Sequence, residues 1–60
     1  MKKNKEMEAA ELLCAALDAA IINKDREALL RFTKFSSKTM TVMQKEEILD
    51  YLRKVNYDLR

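Results

Sequence analysis

The chain has 60 residues, with 12 Lys and Arg against 10 Asp and Glu and a formal net charge of +2. It contains one Cys and no His, Gly or Pro, which excludes internal disulfides and histidine metal sites and disfavours sheets with tight hairpins. The composition therefore predicts a single all-α domain over residues 1–60. A domain this small lies near the lower limit for folding alone, so oligomerisation is the expected reinforcement.

The N-terminal region resembles the start of a secretory signal, because Lys2, Lys3 and Lys5 precede an apolar run. Residues 1–5 are expected to be a frayed lead-in. The run is interrupted by four acidic residues, Glu6, Glu8, Glu11 and Asp18. We therefore expect no signal peptide, no membrane partner and a cytoplasmic location, where a single thiol stays reduced.

The first predicted helix spans residues 6–23 and is apolar around most of its circumference. At 3.6 residues per turn, its apolar side chains form two adjoining stripes. The first stripe comprises Met7, Ala10, Leu13, Cys14, Leu17 and Ile21, and the second comprises Ala9, Leu12, Ala16 and Ala19. Asn23 is expected to end the helix in a left-handed conformation.

The second predicted helix spans residues 25–36, with Asp25 as its N-cap. Its apolar face contains Ala28, Leu29, Phe32 and Phe35, and Leu30 points nearly the opposite way. The polar residues 36–39 are expected to interrupt the helical structure, because their hydroxyl groups compete for backbone hydrogen bonds.

The third predicted helix spans residues 41–58 and opens with a capping box formed by Thr41 and Gln44. Tyr51 lies at the border of its buried side. The stripe expected on that side comprises Gln44, Ile48, Leu52, Val55 and Leu59.

Residues 17–21, with the sequence Leu-Asp-Ala-Ala-Ile, are followed by Asp25, Leu29 and Phe32. This pattern resembles the short bacterial helical motif named IDEAL, although Leu29 stands where that family has Phe and Phe32 where it has Leu. The resemblance covers about a quarter of the chain. It implies a helical hairpin over residues 17–32 and implies no particular activity.

Catalysis is not expected, because the chain lacks His, the side chain best suited to proton transfer at neutral pH. Cys14 is the one candidate nucleophile. It is predicted to be buried in the first stripe as a small hydrophobe, with no cationic neighbour in the adjacent turns to activate it. The sequence therefore predicts no catalytic, cofactor-binding or metal-binding residues.

The first helix predicts self-association, because each of its two apolar stripes must pack against another helix to be shielded from water. The other helices can cover one stripe, and a second copy is expected to cover the other in an antiparallel homodimer. The alternative is a monomeric three-helix bundle. The predicted dimer interface comprises Ala9, Leu12, Ala16, Ala19, Leu30 and Leu49.

The predicted function is that of a small non-enzymatic regulator, adaptor or inhibitor that binds an unidentified protein. Exposed hydrophobic residues with a basic rim are typical of such contacts. The candidate partner-binding residues are Leu30, Met43, Leu49, Tyr57, Arg31 and Lys34.

The alternative function is nucleic-acid binding through a basic face of the second helix. Residues 40–52 are similar to the first helix of the small excisionase-like helix-turn-helix proteins, although only residues 55–60 remain for a recognition helix. Acidic residues also spread over the same region. The phosphate contacts in this alternative are Lys24, Arg31, Lys34 and Lys38.

Overall fold

The computed structural model describes residues 5–56, and side chains within residues 7–56. The described chain folds into three helices, α1 (Lys5–Ile22), α2 (Arg26–Thr33) and α3 (Val42–Lys54). The all-α prediction is therefore confirmed. The lead-in predicted before Lys5 and the positions of Tyr57 and Leu59 lie outside the described residues. Lys5 itself belongs to α1 rather than to the lead-in.

The turn between α1 and α2 closes α1 with a Schellman motif. The Asp25 amide donates to the Ala20 carbonyl at 2.9 Å, and the Lys24 amide donates to the Ile21 carbonyl at 3.1 Å. The left-handed residue is Lys24, with φ 55, and not Asn23 as predicted. Asn23 remains one position earlier, where its side-chain amide donates to the Ala19 carbonyl at 2.8 Å.

Helix α2 begins as predicted and ends early. The Ala28 amide donates to Asp25 Oδ1 at 3.1 Å, which confirms the N-cap. The helix ends at Thr33, three residues before the predicted position 36. Its last turn tightens, because the Lys34 and Phe35 amides bond carbonyls three residues back and the Thr33 hydroxyl donates to the Leu30 carbonyl.

Helix α3 opens with the predicted capping box. The Gln44 amide donates to Thr41 Oγ1, and the Thr41 amide donates to Gln44 Oε1. The helix ends at Lys54 rather than at the predicted position 58, because Asn56 adopts a left-handed φ of 58. Asn tolerates that conformation better than most residues.

The core forms where α1 packs against both other helices. From α1 it takes small side chains, Ala15, Ala16, Ala19 and Ala20, and from the other helices it takes Ala28, Phe32, Ile48 and Leu52. We call Ala9, Ala15, Ala16, Ala19 and Ala20, all buried, the alanine face. Phe32 lies at the centre, with its ring centroid 5.7 Å from Phe35 and 5.2 Å from Tyr51.

The orientation of α1 is the reverse of the prediction. The second stripe, expected to face another chain, is turned inward, and much of the first stripe is turned outward. Alanine side chains let α2 and α3 approach the α1 backbone closely. The volume between the helices is then filled by large residues from the other two helices.

Candidate functional site

The outward side of α1 carries an exposed apolar row. Met7 and Ile21 are 53% and 59% exposed, Cys14 is also exposed, and Ala10 and Leu17 are half-buried. These five residues, which we call the outer stripe, follow one another at intervals of three, four, three and four residues. That is the heptad spacing of helices that pack against another helix. Ile22, at 73% exposure, adds apolar surface near the same end.

Cys14 lies at the middle of the outer stripe and is exposed. The prediction of a buried thiol is wrong. Its physical reason is the reversed orientation of α1, in which Ala15 and Ala16 enter the core and the preceding residue faces away. The thiol is therefore accessible to reagents.

An acidic edge formed by Glu8, Glu11 and Asp18 runs beside the outer stripe, and all three residues are exposed. Asp18 is four residues after Cys14 and three before Ile21, so it neighbours both on the helix surface. Residues 6–23 contain no Lys or Arg. Within the described chain, neither Glu8 nor Asp18 forms an ion pair.

Most of the predicted dimer interface is unavailable to another chain. Ala9, Ala16 and Ala19 are buried within the same molecule, Ala16 completely, and Leu12 packs against the core. Ala9, Ala16 and Ala19 are therefore not exposed for an outer contact in this fold, whereas Leu12 is half-buried, and the homodimer itself stays a prediction. Leu30 is 64% exposed and Leu49 is half-buried.

The predicted partner-binding residues do not form one surface. Leu30 lies opposite the buried Ala28 and Phe32 on α2, and Met43, 80% exposed, lines a shallow groove beside Phe35 and Glu46. Lys34 is exposed at the end of α2, and Leu49 lies on the flank of α3. Tyr57 lies outside the described residues.

Arg31 lines a different feature, an open cleft of about 570 Å³ between α2, the turn before it and α3. Its guanidinium Nη1 lies 3.0 Å from Glu47 Oε1, in an exposed ion pair that bridges α2 and α3. Lys24, Lys54, Asp25 and Glu27 also line the cleft. The charges of both signs balance, so the cleft has no strong preference for anions or cations.

Tyr51 closes the inner wall of this cleft. Its hydroxyl is buried and has no hydrogen bond of good geometry, although the Asp25 carboxylate lies close enough to affect it. Burial raises the pKa of Tyr51 above its usual value, and the negative charge of Asp25 and a weak hydrogen bond to it act in the same direction. Tyr51 is therefore held as the neutral phenol.

The predicted basic face of the second helix is not continuous. Because α2 ends at Thr33, Lys38 lies in the following turn and does not share a helical face with Arg31. Arg31 is paired with Glu47, and Lys24 lies at the other end of α2. Of the four predicted phosphate contacts this leaves Lys34 and Lys38, both exposed, which are too few for a phosphate-binding surface.

Metal sites and membrane-spanning helices are both absent from residues 5–56. No three side chains among His, Cys, Asp and Glu come together there as a metal site. None of the described helices combines the length and apolar content needed to cross a bilayer.

Comparison with protein-family models, with curated proteins and with solved structures finds no match to this chain. The functional interpretation therefore depends on the geometry of the outer stripe. Its residues were all present in the first predicted stripe. Leu13, from the same predicted stripe, packs against the core, as does the half-buried Leu17, and the spacing alone does not separate the exposed members from these two leucines.

Proposed function

We propose that this chain is a small non-enzymatic regulator or adaptor that acts by binding another protein through the outer stripe of α1. The observation that carries the proposal is the outer stripe itself, an exposed apolar row on a helix whose opposite face is sealed. Contiguous apolar surface of this kind marks interaction sites on soluble domains. A cytoplasmic location is part of the proposal.

The shape of the outer stripe supports recognition by a complementary helix or groove. From Met7 to Ile21 the stripe extends about 21 Å at the rise of an α-helix. Anchors at such spacing are how amphipathic helices bind apolar grooves and one another. By contrast, Leu30 is a single exposed residue among polar neighbours, which is normal on a protein surface.

The residues of α1 that stabilise the fold and those proposed to bind a partner lie on opposite sides of the helix. The alanine face holds α1 in the domain, so the outer stripe is presented on a helix that is already ordered by contacts elsewhere. Ordering before binding reduces the entropy lost on association. Substitutions at the exposed residues of the outer stripe, Met7, Cys14 and Ile21, are therefore expected to weaken binding without unfolding the chain.

The homodimer stays a prediction, and its contact surface must differ from the one first expected. Since Ala9, Ala16 and Ala19 are buried, a second copy could pair with α1 only through the outer stripe. Binding of a second copy and binding of another protein would thus compete for one surface.

Photocrosslinking through Cys14 tests the proposal, because it is the chain's single thiol and it is exposed. A benzophenone maleimide is attached at Cys14, and the labelled protein is irradiated in extract of the cells that produce it. We expect a discrete heavier adduct that disappears when Ile21→Asp is introduced.

The matched control carries the same label at a position outside α1, in the double variant Cys14→Ser with Ser36→Cys. Ser36 is exposed and lies in the loop after α2. The proposal would be overturned if both labels gave the same adducts, or if Cys14 gave none.

A further inference from the structure

We infer that the partner segment bound by the outer stripe is an amphipathic helix with Lys or Arg along one flank. This inference rests on the proposed function and adds the chemistry of the partner. It is carried by two observations made together, the heptad spacing of the outer stripe and the acidic edge beside it.

The spacing favours a helix as the occupant. The backbone hydrogen bonds of α1 are made within the helix, so an extended peptide could not pair with it as an added strand. A helix can place its own apolar residues between Ala10, Cys14 and Leu17. Ala10 and Cys14 are small, so they leave room for large side chains of the partner near the middle of the stripe.

The acidic edge determines the charge of the flank. A helix that covers Cys14 and Ile21 passes directly beside Asp18, and Glu11, which is exposed four residues after Met7 and three before Cys14, lies on the same side. Lys or Arg on that flank of the partner would meet these carboxylates, whereas acidic residues there would be repelled. Such complementarity selects partners and speeds association more than it increases affinity.

The same charges disfavour a second copy as the occupant. Each α1 would bring the exposed Glu8 and Asp18 to the contact, and residues 7–23 contain no basic residue to oppose them. A symmetric pair of α1 helices therefore concentrates like charges along its length, which opposes self-pairing. Anionic membranes and nucleic acids are disfavoured on this face for the same reason.

Two synthetic peptides of about three heptads test the inference. Both carry Leu at the a and d positions, and one has Lys at the flanking positions where the other has Glu. Fluorescence anisotropy at low salt should show the Lys peptide binding about tenfold more tightly, with the difference shrinking as salt is raised. Asp18→Lys should reduce or reverse the preference. Glu46→Lys, the same charge reversal on an exposed position of α3, should leave it unchanged.

Three outcomes would overturn the inference. Equal binding of both peptides, lost in Ile21→Asp, would retain the outer stripe as a binding surface and reject the basic flank. Binding of neither peptide, with a dimer in sedimentation that Ile21→Asp dissociates, would identify a second copy as the occupant. Binding of neither peptide by a monomer would reject the helical partner, while crosslinking through Cys14 decides separately whether the stripe binds protein.

Discussion

The two apolar sides of α1 differ more in side-chain size than in hydrophobicity. The alanine face contributes the smallest apolar side chains and is sealed, whereas the outer stripe includes Met7, Leu17 and Ile21 and stays largely exposed. Helices pack most closely where side chains are small, and the large residues that fill the space then come from the neighbours. The bulkier stripe of a helix is therefore not necessarily the one that faces the core.

The largest expected change in stability comes from placing a charge on the alanine face, and its comparison is the same charge on the outer stripe. Ala16 is fully buried, so Ala16→Glu puts an unpaired carboxylate in the core and should cost more than about 3 kcal/mol. That is comparable to the whole stability of so small a domain, so the helical circular dichroism signal should be lost.

Cys14→Glu, two residues away on the outer stripe, is the matched substitution. It should change the free energy of unfolding by no more than about 0.5 kcal/mol, part of it from repulsion by Asp18. A folded Ala16→Glu variant with an altered sedimentation coefficient would instead support the dimer contact first predicted from the sequence.

A second pair of substitutions makes the same comparison on α2. Phe32 is almost completely buried against Tyr51 and Phe35, and Phe32→Ala should cost about 3–5 kcal/mol. Leu30→Ala should cost less than about 0.5 kcal/mol, because Leu30 is largely exposed. Urea unfolding of both variants measures the difference. Similar losses would mean that Leu30 packs against something in solution.

The features of the fold that could be predicted from the sequence are local. The Asp25 N-cap and the Thr41 capping box depend on side chains bonding amides three residues away, so neighbouring residues alone identify them. The buried pair Ile48 and Leu52 could be predicted because α3 has only one apolar side.

The choice between the two stripes of α1 could not be predicted, because it depends on packing between helices. Both stripes are apolar, and periodicity cannot rank one above the other. The exposed position of Cys14 and the burial of Ala9, Ala16 and Ala19 are both consequences of that choice. The predicted basic face is interrupted for a related reason, since a helical face that includes Lys38 would need five more residues of helix than α2 has.

A smaller change in the free energy of unfolding is expected from a substitution in the turn between α1 and α2. Lys24 occupies the left-handed position of the Schellman motif with φ 55, where Gly is the usual residue. Lys24→Gly should therefore raise the free energy of unfolding by about 0.5–1 kcal/mol. Thermal unfolding against Lys38→Gly, in a turn without positive φ, provides the control. A loss of stability in Lys24→Gly would show that this residue makes a contact that outweighs its strain.

The smallest change in the free energy of unfolding at neutral pH is expected from Tyr51→Phe, on α3. The change removes a buried hydroxyl without a good partner, so stability should be unchanged or higher by up to about 1 kcal/mol. Because burial and Asp25 raise the pKa of Tyr51 above 10.0, the folded chain holds this proton more tightly than the unfolded chain does. The resulting stabilisation is complete below the unfolded pKa and is lost as the pH rises through the folded pKa.

Wild type should therefore lose more stability than Tyr51→Phe when urea unfolding is repeated above the ordinary tyrosine pKa of about 10. The chain has two tyrosines, so in Tyr57→Phe the phenolate absorbance reports Tyr51 alone. Its midpoint should lie above the ordinary value, and a midpoint at or below it would show that the Tyr51 ring is hydrated. In that case water would reach the surroundings of Tyr51 on α3 more readily than it reaches the alanine face.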